Sequence, residues 1–140
     1  MGAQIISGRD IADEIRAELK DRVARLKEAS GVTPGLATVL VGENPASQMY
    51  VGMKNKAAAD MGINSRQITL SVDTSEDELL GVVSGLNADP GIHGILVQLP
   101  LPDHIDEGKV LEAIHPSKDV DGFHPINVGR LATDSGDFFA

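Results

Sequence analysis

The chain has no cysteine and no tryptophan, one tyrosine and three phenylalanines in 140 residues. The missing thiols exclude disulfides, thiolate catalysis and cysteine-ligated zinc or iron–sulfur centres. They fit a reducing compartment, and the expected location is the cytoplasm. Few aromatics mean that the core must be aliphatic, built from Ile, Leu, Val and Ala, and they make Tyr50 conspicuous. Positive charge is also short: 12 Lys and Arg stand against 21 Asp and Glu, a formal net charge of −9. Such a chain repels a phosphate backbone or an anionic bilayer surface, so neither nucleic acid nor membrane is an expected partner. No run approaches the roughly 20 apolar residues of a membrane span, and the N-terminus has no apolar signal core.

What is present is alternation. Short apolar runs at residues 4–7, 36–41, 65–72 and 94–99 read as strands. The stretches between them carry apolar residues every three or four positions and read as helices at 9–29, 45–61 and from 75 onward. In the first, Ile11, Ile15, Leu19, Val23 and Leu26 form one stripe. Asn44 before Pro45 is a good N-cap and first helical residue, and Ser75 with Glu78 forms a capping box. A short helix follows at 106–114, with a further helical stretch near 127–131. The expected fold is α/β: a mainly parallel sheet of about four strands flanked by about four helices, three-layered and Rossmann-like. No G-x-G-x-x-G fingerprint and no Walker-type loop accompany it. The length suits a single domain, 1–140. Phe138, Phe139 and Ala140 end the chain on apolar residues, as expected of a domain cut from a longer protein.

Three segments carry candidate chemistry. Ser47, Tyr50 and Lys54 are spaced by three and four, so they share one helix face. That face follows directly on a strand, where open parallel sheets bind ligands. A partly desolvated lysine beside an aromatic ring suits proton transfer, although Tyr and Lys at this spacing are also common surface residues. Gln98 ends an apolar strand, and its carboxamide can reach Lys54 or a ligand, or equally satisfy loop backbone. Leu99 and Pro100 follow it. Asp119 and Asp121 flank Val120 ahead of Gly122. A metal, a heterocycle with adjacent N–H donors, or capped turn amides would each suit such carboxylates; Asp119 is the more structural of the two. His93, His104, His115 and His124 have no metal-ligand spacing and read as loop residues.

Together these segments resemble the catalytic domain of the bifunctional methylenetetrahydrofolate dehydrogenase/methenyltetrahydrofolate cyclohydrolase family. The resemblance runs through 41–54, 76–101 and 116–123 and spans essentially the whole chain. It implies that Lys54 is the proton-transfer residue and that Gln98 holds it. It implies that Tyr50 stacks on the folate, that Asp121 grips the pterin, and that Ser47, Leu99 and Pro100 line the pocket. Lys54 and the nearby Lys56 would offset the folate carboxylates. Family members continue into an NADP-binding Rossmann domain, which this chain lacks, so no cofactor residue and no metal is expected here. The implied role is NADP-dependent oxidation of 5,10-methylenetetrahydrofolate and hydrolysis of the methenyl product, in one-carbon metabolism that feeds purine and amino-acid biosynthesis. A homodimer is expected of the longer parent. The other readings are a folate-binding module without turnover, an inactive isolated domain, or a generic α/β domain with a structural role.

Overall fold

The computed structural model describes residues 6–135. Its elements run α1 (Gly8–Ser30), β1 (Gly35–Val41), α2 (Pro45–Asp60), β2 (Asn64–Leu70), α3 (Glu76–Ala88), β3 (Gly94–Val97), α4 (Glu107–Ala113) and α5 (Pro125–Thr133). The sheet is wholly parallel, in the order β2-β1-β3. Strand β1 pairs with β2 from Gly35↔Asn64 to Val41↔Leu70, and with β3 from Leu36↔Gly94 to Val39↔Val97.

The fold class is as expected, with three corrections of detail. The described residues hold three strands rather than four. Half of the expected strand at 4–7 lies outside them, and its last residue, Ser7, is the N-cap of α1, its hydroxyl accepting from the Asp10 amide. Strand β3 is shorter than the apolar run at 94–99: the Gln98 amide donates the last ladder bond, to Val39 O, and the chain beyond it, with Pro100 and Pro102, does not continue the pairing. Helix α5 begins at Pro125, earlier than the apolar pattern suggests, because the His124 ring nitrogen accepts from the Ile126 amide and caps it. The apolar end at 138–140 also lies outside the described residues.

Side chains alternate across a strand. On β1, Ala37, Val39 and Val41 face a core of Leu79, Val83 and Leu86 from α3, Ile95 and Val97 from β3, and Val110 and Ile114 at α4. This core is entirely aliphatic, as the composition requires. Thr38 points to the opposite face, toward Asn55 of α2, giving three layers. The ends of α2 and α3 follow local chemistry. Asn44 accepts from the Ala46 and Ser47 amides ahead of Pro45, and Ser75 and Glu78 cap each other's backbone amides reciprocally.

Helix α1 departs from its pattern: its apolar stripe forms, yet none of its residues is buried. Among the described residues no helix is long and apolar enough to cross a membrane.

Candidate functional site

The site assembles at the carboxyl ends of β1 and β3. After β1 the chain turns at Gly42, whose φ of 82° suits a residue without a Cβ. Its amide extends the ladder to the Leu70 carbonyl at 2.9 Å. The Asn44 cap then starts α2 immediately, so the helix presents its first two turns at the strand tips.

Along α2, Ser47, Val51 and Ala58 are the buried residues. Small side chains at both ends of this stripe let the helix lie close to the sheet. Tyr50 lies off the stripe and is 54% exposed. Met49 and Met53 beside it are also exposed. This half of α2 thus exposes a phenol and Met49 near Lys54, while Met53 borders the groove against α1.

Lys54 is half-buried, and its Nζ donates to Gln98 Oε1 at 3.2 Å. The orientation of Gln98 is fixed from behind. Its backbone amide donates to Val39 O at 2.8 Å, and its Nε2 donates to the Leu99 carbonyl at 2.7 Å. With the amide nitrogen committed, only the oxygen remains to face an ammonium group, which has donors alone. The Leu99–Pro100 peptide is cis; Leu99 packs against the core and Pro100 is exposed.

Asp121 reaches the same region from the loop after α4. This loop runs along β3: the Ile95 amide donates to the Lys118 carbonyl at 2.7 Å. Gly94 permits the approach, since a Cβ there would lie 2.5 Å from Val120 Cγ1, the side chain between the two aspartates. Lys118 anchors the loop by donating to the Leu86, Asn87 and Asp89 carbonyls at 2.8–3.0 Å. These are orphan acceptors at the end of α3, where a cation is favoured. Loss of surrounding water pushes the Asp121 carboxyl above the usual carboxylate range; the positive charge of Lys54 draws it back down, and Asp119 adds to the rise. Asp121 therefore lies within reach of the Lys54 charge.

The structure thus joins Lys54 to Gln98 directly and brings Asp121 within their electrostatic reach, with Tyr50 one helical turn away. Ser47 is buried at the start of the same helix. Asp119 is structural, as its sequence context suggested: buried, it accepts from the Gly122 and His124 amides. Lys56 is not part of the group. Two residues on from Lys54, it turns to a groove against α1 shared with Arg16 and Lys20. Sequence reasoning missed Asn55, Lys118 as an anchor, and Asn127. Each is a lone polar residue whose partners are distant in sequence, so no local period marks it. Chemically, the site pairs an acid–base group with a fixed amide acceptor, a carboxylate for adjacent N–H donors, and an exposed phenol on which a flat ring can stack.

A family model described as the tetrahydrofolate dehydrogenase/cyclohydrolase catalytic domain matches residues 6–121. The bifunctional protein FolD of Geobacillus thermodenitrificans is 60% identical over 131 residues, covering 94% of this chain and 46% of that protein. The solved structure of the bifunctional dehydrogenase/cyclohydrolase FolD from Campylobacter jejuni superposes with a TM-score of 0.91 at 48% identity, over 94% of this chain and 46% of that one. The Trypanosoma brucei methylenetetrahydrofolate dehydrogenase-cyclohydrolase, solved with NADP cofactor and inhibitor, superposes with a TM-score of 0.89 at 41% identity, over 94% and 45%. The chain spans about half the length of the relatives it matches.

Proposed function

This chain belongs to the tetrahydrofolate dehydrogenase/cyclohydrolase catalytic-domain family, and from that premise we propose that residues 1–140 form its folate site and supply its proton-transfer lysine. The reaction is the oxidation of 5,10-methylenetetrahydrofolate to the methenyl form and the hydrolysis of that product to 10-formyltetrahydrofolate. The observation that carries the reading is the Lys54–Gln98 hydrogen bond at the strand tips, with Asp121 in electrostatic reach.

In this reading the pterin lies over Tyr50. Asp121 accepts from the adjacent N–H groups of the pterin edge, a bidentate geometry suited to a carboxylate. Water adds to the carbon of the methenyl bridge. The Lys54 amine takes one proton from that water and delivers it to N5 as the carbon–N5 bond breaks, and the remaining hydroxyl proton passes to solvent as the formyl carbonyl forms on N10. Gln98 holds the amine on the bridge. Ser47, Leu99 and Pro100 border the pocket.

The nicotinamide half is a different matter. The turn after β1, where a dinucleotide phosphate would lie, has no glycine-rich cradle, and Asn44 already occupies the Ala46 and Ser47 amides. The described residues do not fit NADP, and hydride transfer is assigned to the part of the longer relatives that this chain does not match. A cytoplasmic location and a homodimeric parent complete the proposal.

The test pairs calorimetry with tetrahydrofolate and an absorbance assay of methenyl hydrolysis, on the chain and on Lys54→Met. Binding in both, with hydrolysis lost only in the variant, supports the reading. Binding without turnover in the unaltered chain makes it a folate-binding module. No binding by either leaves the folate site unsupported.

A further inference from the structure

Two polar side chains outside the proposed chemistry are almost wholly buried: Asp119, 5% exposed, and Asn127, 4% exposed. A buried carboxylate is costly unless it is paired or well supplied with donors. Among the described residues Asp119 has no cationic partner. It has three N–H donors instead. Its Oδ1 accepts from the Gly122 amide at 3.0 Å, and its Oδ2 accepts from the His124 amide at 2.9 Å and from Asn127 Nδ2 at 2.9 Å. The same Nδ2 donates to the Pro116 carbonyl at 2.8 Å.

The Asp119 carboxylate therefore closes a tight loop around Asp121, holding the amide of the very next residue. Gly122, with φ at 72°, completes the turn. Two of the three donors are backbone groups of the loop itself. Asn127 is the only side chain among them, and it comes from α5. It is what fixes the carboxylate plane to the rest of the molecule.

We propose that Asn127 is a positioning residue for Asp121, acting through Asp119, and that it sets substrate affinity rather than turnover. The proposal rests on the folate reading above. Without Asn127, Oδ2 keeps one donor, the carboxylate can swing, and the turn no longer holds Asp121 at one angle to the cleft. The chemistry at Lys54 and Gln98, held by α2 and β3, is untouched.

The experiment compares the chain with Asn127→Ala and with Asn127→Ser, which keeps one donor. Three quantities are read: the Kd for tetrahydrofolate, the rate of methenyl hydrolysis at saturation, and the titration of the Asp121 carboxyl carbon by NMR. In Asn127→Ala the Kd should rise about tenfold, the worth of one hydrogen bond to a charged group, with the saturated rate within about twofold. The Asp121 midpoint should leave its original value, because water, Lys54 and Asp119 together set it. Asn127→Ser should fall between the two, and it supplies the same readings if the alanine variant does not fold. A lower melting temperature with Kd and Asp121 titration both unchanged would reduce Asn127 to a structural tie and overturn the proposal. If the unaltered chain binds no tetrahydrofolate, the folate reading fails, and the Asp121 titration alone still decides whether Asn127 positions it.

Discussion

The two faces of the sheet are held by different chemistry. Under α3 and α4 the buried contact is aliphatic, with Leu79, Val83 and Val110 wholly excluded from solvent, and polar ties such as Asn87 Nδ2 to the Ala113 carbonyl and Lys109 to Glu76 lie around it. Of α2 itself only Val51 and Ala58 are buried apolar residues; they meet a sheet face that carries Leu40 and Leu96 beside Thr38, and polar contacts add to the docking. Asn55 Oδ1 accepts from Ser65 Oγ at 2.8 Å, its Nδ2 donates to Gln67 Oε1 at 2.6 Å, and Gln67 passes the chain on to Thr69. Helix α1 is the extreme case, with capped ends and local ion pairs but no buried side chain. Apolar burial is non-directional and scales with area; hydrogen bonds fix angle and roll. The first face supplies most of the stability. The second holds an orientation, and it is the one that carries Tyr50 and Lys54.

Four measurements would break or sharpen this contrast. Leu79→Ala, on the carbon face, should cost about 3 kcal/mol by denaturant unfolding, in the usual range for a fully buried leucine. A loss well under 1 kcal/mol would mean that the carbon face does not dominate. Asn55→Ala should cost about 1 kcal/mol, through donors and acceptors left half-satisfied on a partly solvated face. Because α2 can then roll, the same variant should slow methenyl hydrolysis more than it weakens folate binding; the reverse order would detach Asn55 from Lys54.

Asp121→Asn should act through pH. Its carboxyl is raised in the folded chain, chiefly by desolvation, so the folded state binds the proton more tightly than the unfolded one. Stability from this group is therefore full below the ordinary carboxylate range and falls as pH rises through the folded value. The amide variant should match the unaltered chain at low pH and exceed it near neutrality, by less than about 1 kcal/mol for a carboxyl this open to solvent, while losing folate affinity. A variant less stable at neutral pH would contradict the direction. Smallest of all, Ile15→Ala on the exposed α1 stripe should change stability by no more than about 0.5 kcal/mol. A loss of several kcal/mol would show that the stripe is covered in solution.

The strands from β1 onward and the helices were legible because each repeats a period in the chain itself. So were the caps, where Ser75 and Glu78 or Asn44 and Pro45 act within one turn. The α1 stripe shows the limit of that reading. Spacing tells which residues share a face, but whether anything packs on that face is a tertiary fact. The expected first strand at 4–7 lies half outside the described residues, and within them Ser7 serves as a helix cap instead.

The same division runs through the site. Ser47, Tyr50 and Lys54 could be grouped from spacing because one helix holds them. A Gln98 bond to Lys54, 44 residues away, was one of two readings the residues left open beside a tie to loop backbone, and the approach of Asp121 to the pair was implied only by family resemblance. Asn127 gave no signal, because a buried asparagine looks like a surface one until its partners are known.

Composition and local periodicity by themselves determined an aliphatic core, an α/β order, capped helices and a repulsion of polyanions, since each depends on residues a turn or a strand apart. Which helix is buried, which way Gln98 turns its oxygen, and what holds Asp121 were decided only in three dimensions. Those outcomes depend on contacts between distant segments, and the sheet must form before any of them has a partner.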